Sequence, residues 1–266
     1  MTNKNDWALI LGASSGFGGA TALELAKSGF HIFGVHLDRK ATMPMVEEVI
    51  HKIEATGRKA VFFNINAADD EKRREALDQM KGEMAAVGPE SSIRVLLHSL
   101  AFGSLKLYIA SDPAEEVDKA KMEMTLDVMA NSLVYWTQEM MRRKMMRSGG
   151  RIFAMTSSGG TRVWPNYGPV SAAKAALESH VRQLALELAP YGITANSIRA
   201  GVTDTPALRK IPGNEKMIEV AQQRNPSGRL TTPEDVAKAI ALLTDERSQW
   251  ITGNVIGVDG GEDIVG

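Results

Sequence analysis

Short, continuous apolar runs recur along the whole sequence, and longer stretches of helical period separate them. "WALIL" (7–11), "HIFGV" (31–35), "AVFFNI" (60–65), "RVLLHSL" (94–100), "RIFAMTS" (151–157), "ITANSI" (193–198) and "NVIGVDG" (254–260) read as strands. Runs that are apolar throughout are what strands need when helices cover both faces of a sheet. The amphipathic stretches at 17–29, 43–56, 70–87, 114–147, 169–190 and 233–244 supply those helices. Such alternation folds into a parallel sheet with right-handed crossovers, so the expected class is α/β, doubly wound. The 266 residues contain no linker, repeat or low-complexity tract, which predicts one domain over 1–266.

Composition narrows the partners. Net charge is −1 with no long run of one sign, so no nucleic-acid partner is expected. Cysteine is absent, which excludes disulfides and thiolate metal sites and fits a reducing compartment. His31, His36, His51, His98 and His180 show no metal-like spacing, so no metal is expected. The first apolar run, Trp7 to Leu11, is too short for a secretory segment, and no apolar stretch reaches 18 residues. A cytoplasmic protein without a membrane partner is the expectation.

"GASSGFGGA" (Gly12–Ala20) follows the first strand and opens the first helix. Glycines at 12, 16 and 18 allow a sharp turn and close approach of backbone to a pyrophosphate, which the helix N-terminus then holds. This context predicts a Rossmann-type dinucleotide site. At the end of the second strand an acid would accept from a ribose 2′-hydroxyl, and a base would receive a 2′-phosphate. "GVHLDRK" (Gly34–Lys40) puts His36 where the acid is expected, with Asp38, Arg39 and Lys40 after it. NADH and NADPH both stay open, with a slight lean to NADH.

Two segments depart from the rhythm. The predicted helix 114–147 ends in "EMMRRKMMRSGG", and Met at that density suits core or subunit-interface filling. Apolar residues such as Met140, Met141, Leu177, Val181 and Leu184 on more than one helix face call for a second partner. Residues 202–232 are rich in Pro, Gly and polar residues and follow a strand end, as a substrate-binding lid would. Within them Glu215–Arg224 forms about three turns, with Met217, Ile218 and Val220 available to cover an acyl chain.

Gly12-x-x-x-Gly16-x-Gly18, Lys174, "RAGVTDT" (Arg199–Thr205) and "ITGNVIGVDGG" (Ile251–Gly261) together resemble the short-chain dehydrogenase/reductase superfamily over essentially the whole chain. That superfamily usually places a Tyr four residues before its Lys; here the position is Val170, and the nearest Tyr is Tyr167. Tyr167-x6-Lys174 is similar to the enoyl-(acyl carrier protein) reductase branch. So are "LLHSLAFG" (Leu96–Gly103) and Met129, which stands where other members carry a catalytic Asn. Within that branch, Ser157 on the strand "MTSSGG" and the standard Gly turn resemble a smaller bacterial subgroup.

The resemblance implies that Tyr167, Lys174 and Ser157 are catalytic, although Ser157 reads equally as a strand-end Ser bonding backbone. It implies a cofactor site of Gly12, Ser14, Ser15, Gly16, Phe17 and Gly18, with His36, Asn66 and Ala67. Ser99, Leu100, Ala101, Thr156 and Lys174 would continue that site, and Ala200, Gly201, Thr203 and Thr205 would close it. The implied activity is NAD(P)H-dependent reduction of an enoyl thioester in fatty-acid synthesis, by a homotetramer that an acyl carrier protein could serve. A displaced hydroxyl suits this chemistry, since hydride goes to Cβ while charge appears on a thioester oxygen further away. Pro169 suits the first turn of a helix, which leaves Tyr167 just outside it. The alternatives are a carbonyl reductase, including 3-oxoacyl-(acyl carrier protein) reductase, and a non-catalytic dinucleotide-binding protein.

Overall fold

The structure is a computed structural model and describes residues 5–265. Its strands are β1 (Asp6–Leu11), β2 (His31–His36), β3 (Ala60–Asn64), β4 (Ser92–His98), β5 (Arg151–Thr156), β6 (Thr194–Ala200) and β7 (Val255–Val258). They form one parallel sheet in the order β3-β2-β1-β4-β5-β6-β7. The chain starts mid-sheet, winds outward to β3 and returns to β4 beside β1. The strand order therefore reverses between β1 and β4, where open sheets of this kind form their ligand crevice.

The central strands are largely apolar because their two sets of side chains enter two different cores. Along β1, Trp7, Leu9 and Leu11 face one core while Ala8 and Ile10 face the other. The first core is closed by α3 (Asp70–Val87), α5 (Ser132–Arg142) and α6 (Gly168–Leu188), through Leu77, Trp136 and Leu177 among others. The second is closed by α1 (Gly16–Lys27), α2 (Met43–Glu54) and α8 (Pro233–Leu242), through Leu25, Ile53 and Ile240. Among the described residues, no helix is long and apolar enough to cross a membrane.

The single helix expected over 114–147 is instead several pieces. Pro113–Glu115 is one tight turn, and Glu116 is extended and bridges to Leu107. Asp118 then caps α4 (Lys119–Leu126) by accepting from the Lys121 amide. A wider turn over Asp127–Asn131 leads into α5. Lys144 at φ +56° ends the helical path, so Met145 and Met146 fold back into the core, 1% and 4% exposed. The Met-rich end therefore fills this chain's own interior.

The burial also corrects the assembly argument. Met140, Leu177, Val181 and Leu184 are all buried within the monomer, so their spread around the helices needs no second subunit to explain it. A helix between two neighbours of its own chain is apolar beyond one stripe for that reason alone.

Candidate active site

β1 runs into a turn that admits no side chain at two positions. A Cβ on Gly12, which sits at φ +92°, would lie 2.4 Å from the Ser99 carbonyl oxygen, and one on Gly18 would lie 2.0 Å from the Gly12 carbonyl oxygen. Gly16 begins α1 and faces the methyl group of Thr205. Ser15, at the helix start, makes no side-chain capping bond, which leaves the first amides of α1 available to an anion. Ser14 and Phe17 lie on the same turn, and Phe17 packs onto the core beneath it. The turn, the end of β4 at Ser99–Ala101 and the segment after β6 at Thr203–Thr205 thus surround the switch point.

At the end of β2 the acid has moved by two residues. His36 is buried, and its Nδ1 lies 3.0 Å from Asp38 Oδ2. Burial pushes the Asp38 carboxyl up, but hydrogen bonds from Thr42, Ser14 and His36 outweigh it and hold the group below its ordinary range. A carboxylate bonded to Ser14 of the glycine turn therefore occupies the ribose end of the crevice. Arg39 and Lys40 beside it are exposed. Asn66 is exposed too, and its Oδ1 accepts from the Ala68 amide at 3.0 Å. Ala67 is buried, with its carbonyl taken by Trp136 Nε1 at 2.8 Å.

The three residues expected to be catalytic converge at the start of α6. Tyr167 is the residue just before that helix, and Pro169 lies in its first turn. Ser157 Oγ accepts from the Gly159 amide at 3.0 Å, as a strand-end Ser bonding backbone would, and is also hydrogen-bonded to Tyr167. Burial pushes the Tyr167 phenol up and outweighs the Ser157 bond, so the phenol keeps its proton at neutral pH. Lys174 lies one to two turns along α6, buried, and donates Nζ to the Met155 carbonyl at 2.7 Å. Burial pushes its pKa down to about 8, against the opposing pull of Glu178. An ammonium has three donors, so two remain for a ligand.

Val170, where other superfamily members place Tyr, is buried against Gly103 together with Met129 and Thr125. His98 acts as a structural tie. Ser132 gives its one proton to the Val128 carbonyl at 2.8 Å, so His98 Nε2 donates to Ser132 Oγ at 2.9 Å. Burial foremost, and Lys174 next, push this imidazole down to about 3, and it stays neutral.

Three further residues belong to the site. Glu178, one turn after Lys174, accepts from Thr156 Oγ1 at 2.6 Å and so links the end of β5 to the lysine. Its spacing of four from Lys174 was the available signal. Asp38 was visible in the sequence but sits two positions from where the pattern points. Tyr108, from the loop after β4, packs on Gly168, where a Cβ would lie 2.7 Å from its Cζ. Nothing in its local sequence announces that contact.

Ala200 ends β6, and the segment after it begins at Gly201. A Cβ on Gly201 would meet Thr231 Oγ1 at 2.4 Å, and the Thr203 hydroxyl donates to the Gly201 carbonyl at 3.0 Å. Beyond it, α7 (Asn214–Arg224) carries Met217 and Ile218 half-buried and Val220 exposed. Trp164 Nε1 reaches the Pro212 carbonyl at 3.4 Å, which ties the Tyr167 loop to the base of this segment. Phe102, Tyr108, Ile109 and Val163 stand exposed on the two loops that follow β4 and β5.

The family model for enoyl-(acyl carrier protein) reductase matches residues 12–262. The NADH-dependent enoyl-[acyl-carrier-protein] reductase of Nostoc sp. is 29% identical over 270 residues, covering 100% of this chain and 98% of that protein. Cyclohexanol dehydrogenase of Acinetobacter sp. is 30% identical over 262 residues, covering 98% and 96%. Among solved structures, the NADH enoyl-[acyl-carrier-protein] reductase of Aquifex aeolicus superposes with a TM-score of 0.84 at 24% identity, over 99% of each chain. At that identity the superposition establishes the fold.

Proposed function

The chain belongs to the short-chain dehydrogenase/reductase superfamily, in the enoyl-(acyl carrier protein) reductase family, and from that premise we propose that it reduces trans-2-enoyl thioesters. The observation that carries this reading is the pair Val170 and Tyr167. The position beside the lysine holds a buried aliphatic side chain, and the phenol stands outside the helix start, bonded to Ser157.

A nicotinamide dinucleotide bound here would supply the hydride. The chain has the cradle for one: a turn that excludes side chains, uncapped amides at the start of α1, and a lysine with spare donors. As hydride reaches Cβ, negative charge develops on the thioester oxygen. The Tyr167 hydroxyl donates to that oxygen, which stabilises the transition state electrostatically. Ser157 holds the phenol in place. Lys174 holds the nicotinamide ribose, and its charge favours the enolate. A solvent proton at Cα completes the reduction. The apolar side chains of α7 cover the acyl chain and exclude water.

Turnover decides between this and the second reading, an alcohol or carbonyl dehydrogenase, which the resemblance to the Acinetobacter protein favours. Following nicotinamide absorbance, crotonyl thioester should be consumed and acetoacetyl thioester left unreduced. Faster reduction of acetoacetyl thioester would reverse the assignment.

The cofactor is read as NADH, because a 2′-phosphate would face the Asp38 carboxylate. Asp38→Asn should raise the NADPH rate while leaving the fold intact. A wild-type preference for NADPH above about tenfold would overturn the assignment and implicate Arg39 or Lys40.

Assembly as a homotetramer is supported by exposed apolar residues and by the open edge of the sheet. Trp250 is 96% exposed and Leu242 75%, and β7 ends the sheet with one edge open. A monomer mass by light scattering at micromolar concentration would remove this expectation.

A further inference from the structure

The turn after β7 reaches back to three parts of the candidate site: the end of β6 with the segment after it, α7, and the loop between β5 and α6. Gly260 and Gly261, at φ +62° and +88°, turn the chain away from the sheet edge. The Asp259 carboxylate then accepts from the amides of Gly261 at 3.0 Å and Asp263 at 3.3 Å, fixing a single helical turn over Glu262–Ile264. Three ties leave this turn. Glu262 Oε2 accepts from the Val202 amide at the base of the lid segment, 3.0 Å away. Arg224, the last residue of α7, donates Nε to the Val265 carbonyl at 2.6 Å. Asp263 meets two arginines, Arg162 at Oδ1 and Arg199 at Oδ2, each at 2.9 Å.

The two arginines differ in what they stand on. Arg199 belongs to β6, in register with Thr156 of β5, so it is part of the rigid sheet. Arg162 lies on the loop between β5 and α6, midway between Ser157 and Tyr167, and also reaches the Asp263 carbonyl at 3.1 Å. The Asp263 side chain is 19% exposed, so the pairs share one largely buried carboxylate. An exposed isolated pair would contribute little. A carboxylate shared between a sheet residue and a loop residue fixes the loop relative to the sheet.

We propose that Asp263 is a positioning residue: clamped on Arg199, it holds Arg162 and thereby the loop that presents Ser157 and Tyr167 to the substrate. This rests on the reading of Tyr167 as donor to the thioester oxygen. A misplacement of the order of 1 Å at a reacting group costs up to about 100-fold in rate, so a distant tether can govern turnover.

The test uses the full-length protein with NADH and crotonyl thioester, and compares wild type, Tyr167→Phe, Asp263→Asn, Asp263→Glu, Arg162→Met and the Asp263→Asn/Arg162→Met double variant. Asp263→Asn should lower kcat by about tenfold, with NADH affinity unchanged, and Asp263→Glu should recover most of the loss. The double variant should be no slower than the worse single, because both loosen the same tether between Asp263 and the Arg162 loop. Amide hydrogen exchange over 158–167 should quicken in Asp263→Asn while the sheet stays protected. Wild-type kcat in Asp263→Asn, alongside an impaired Tyr167→Phe, would overturn the proposal, as would losses that multiply in the double variant. If Tyr167→Phe is itself unimpaired, the functional reading fails instead. The exchange measurement then judges the tether alone, and unchanged exchange overturns it.

Discussion

Tyr167→Phe should lower enoyl turnover by about 10–1000-fold, on the scale of the roughly 100–1000-fold loss seen when one donor to a developing oxyanion is removed. The ring stays where it is, because its packing comes from the start of α6 and from Gly159, whose Cβ would lie 2.5 Å from Tyr167 Cε1. Only the hydroxyl goes, together with its bond to Ser157. Since burial keeps the phenol protonated, the residue acts through a donated hydrogen bond, and its loss should appear in kcat at every pH where the enzyme works. NADH affinity should be unaffected, because Lys174, the glycine turn and Asp38 make up the cofactor side. Transplanting the acid to its more usual place is closed by packing: a Tyr at 170 would have to enter the space where Val170, Met129 and Thr125 already meet at Gly103. A Phe variant that reduces crotonyl thioester at the wild-type rate would refute the role of this hydroxyl.

What the sequence discloses about this site follows from the range of the interactions involved. The inner strands are legible because they are buried on both faces, and the glycine turn because steric demand at Gly12 and Gly18 allows no other residue. Tyr167, Lys174 and Pro169 are legible because one helix start sets their relation. The long helix over 114–147 misleads because α4, the wide turn and α5 follow one another without a gap, so the departures from helix fall at its two ends. Lys144 in a left-handed conformation gives no sign of itself in composition. Asp38 depends on Ser14, and Tyr108 on Gly168; contacts between segments so far apart in sequence leave no local pattern. The same holds for Asp263, whose two arginines come from a loop and from a strand.

Lys174→Met should abolish turnover and weaken NADH binding, yet leave the protein at least as stable as wild type. The two effects separate because the ammonium is costly to bury. It is held by the Met155 carbonyl and opposed to Glu178, and burial still brings its pKa down to about 8, below the ordinary value of about 10.4. In the pH interval between those values the unfolded chain binds more protons than the folded one, so wild-type stability should rise as pH increases from about 8. Below about 8 both states are charged and the full cost of burying the charge is present. Activity runs the opposite way. The enolate and the ribose need the charged form, so kcat/KM, which reports the free enzyme, should fall as pH rises through about 8. Tyr167, pushed up by burial, and His98, pushed down to about 3, do not titrate near there, so this limb belongs to the lysine. Methionine keeps the aliphatic stem and removes the charge, so the alkaline rise in stability should vanish along with turnover. Thermal melts and kcat/KM across pH 7–10 read both curves. An Lys174→Met protein that still reduces crotonyl thioester, or a wild-type kcat/KM flat through pH 8, would remove Lys174 from the reaction.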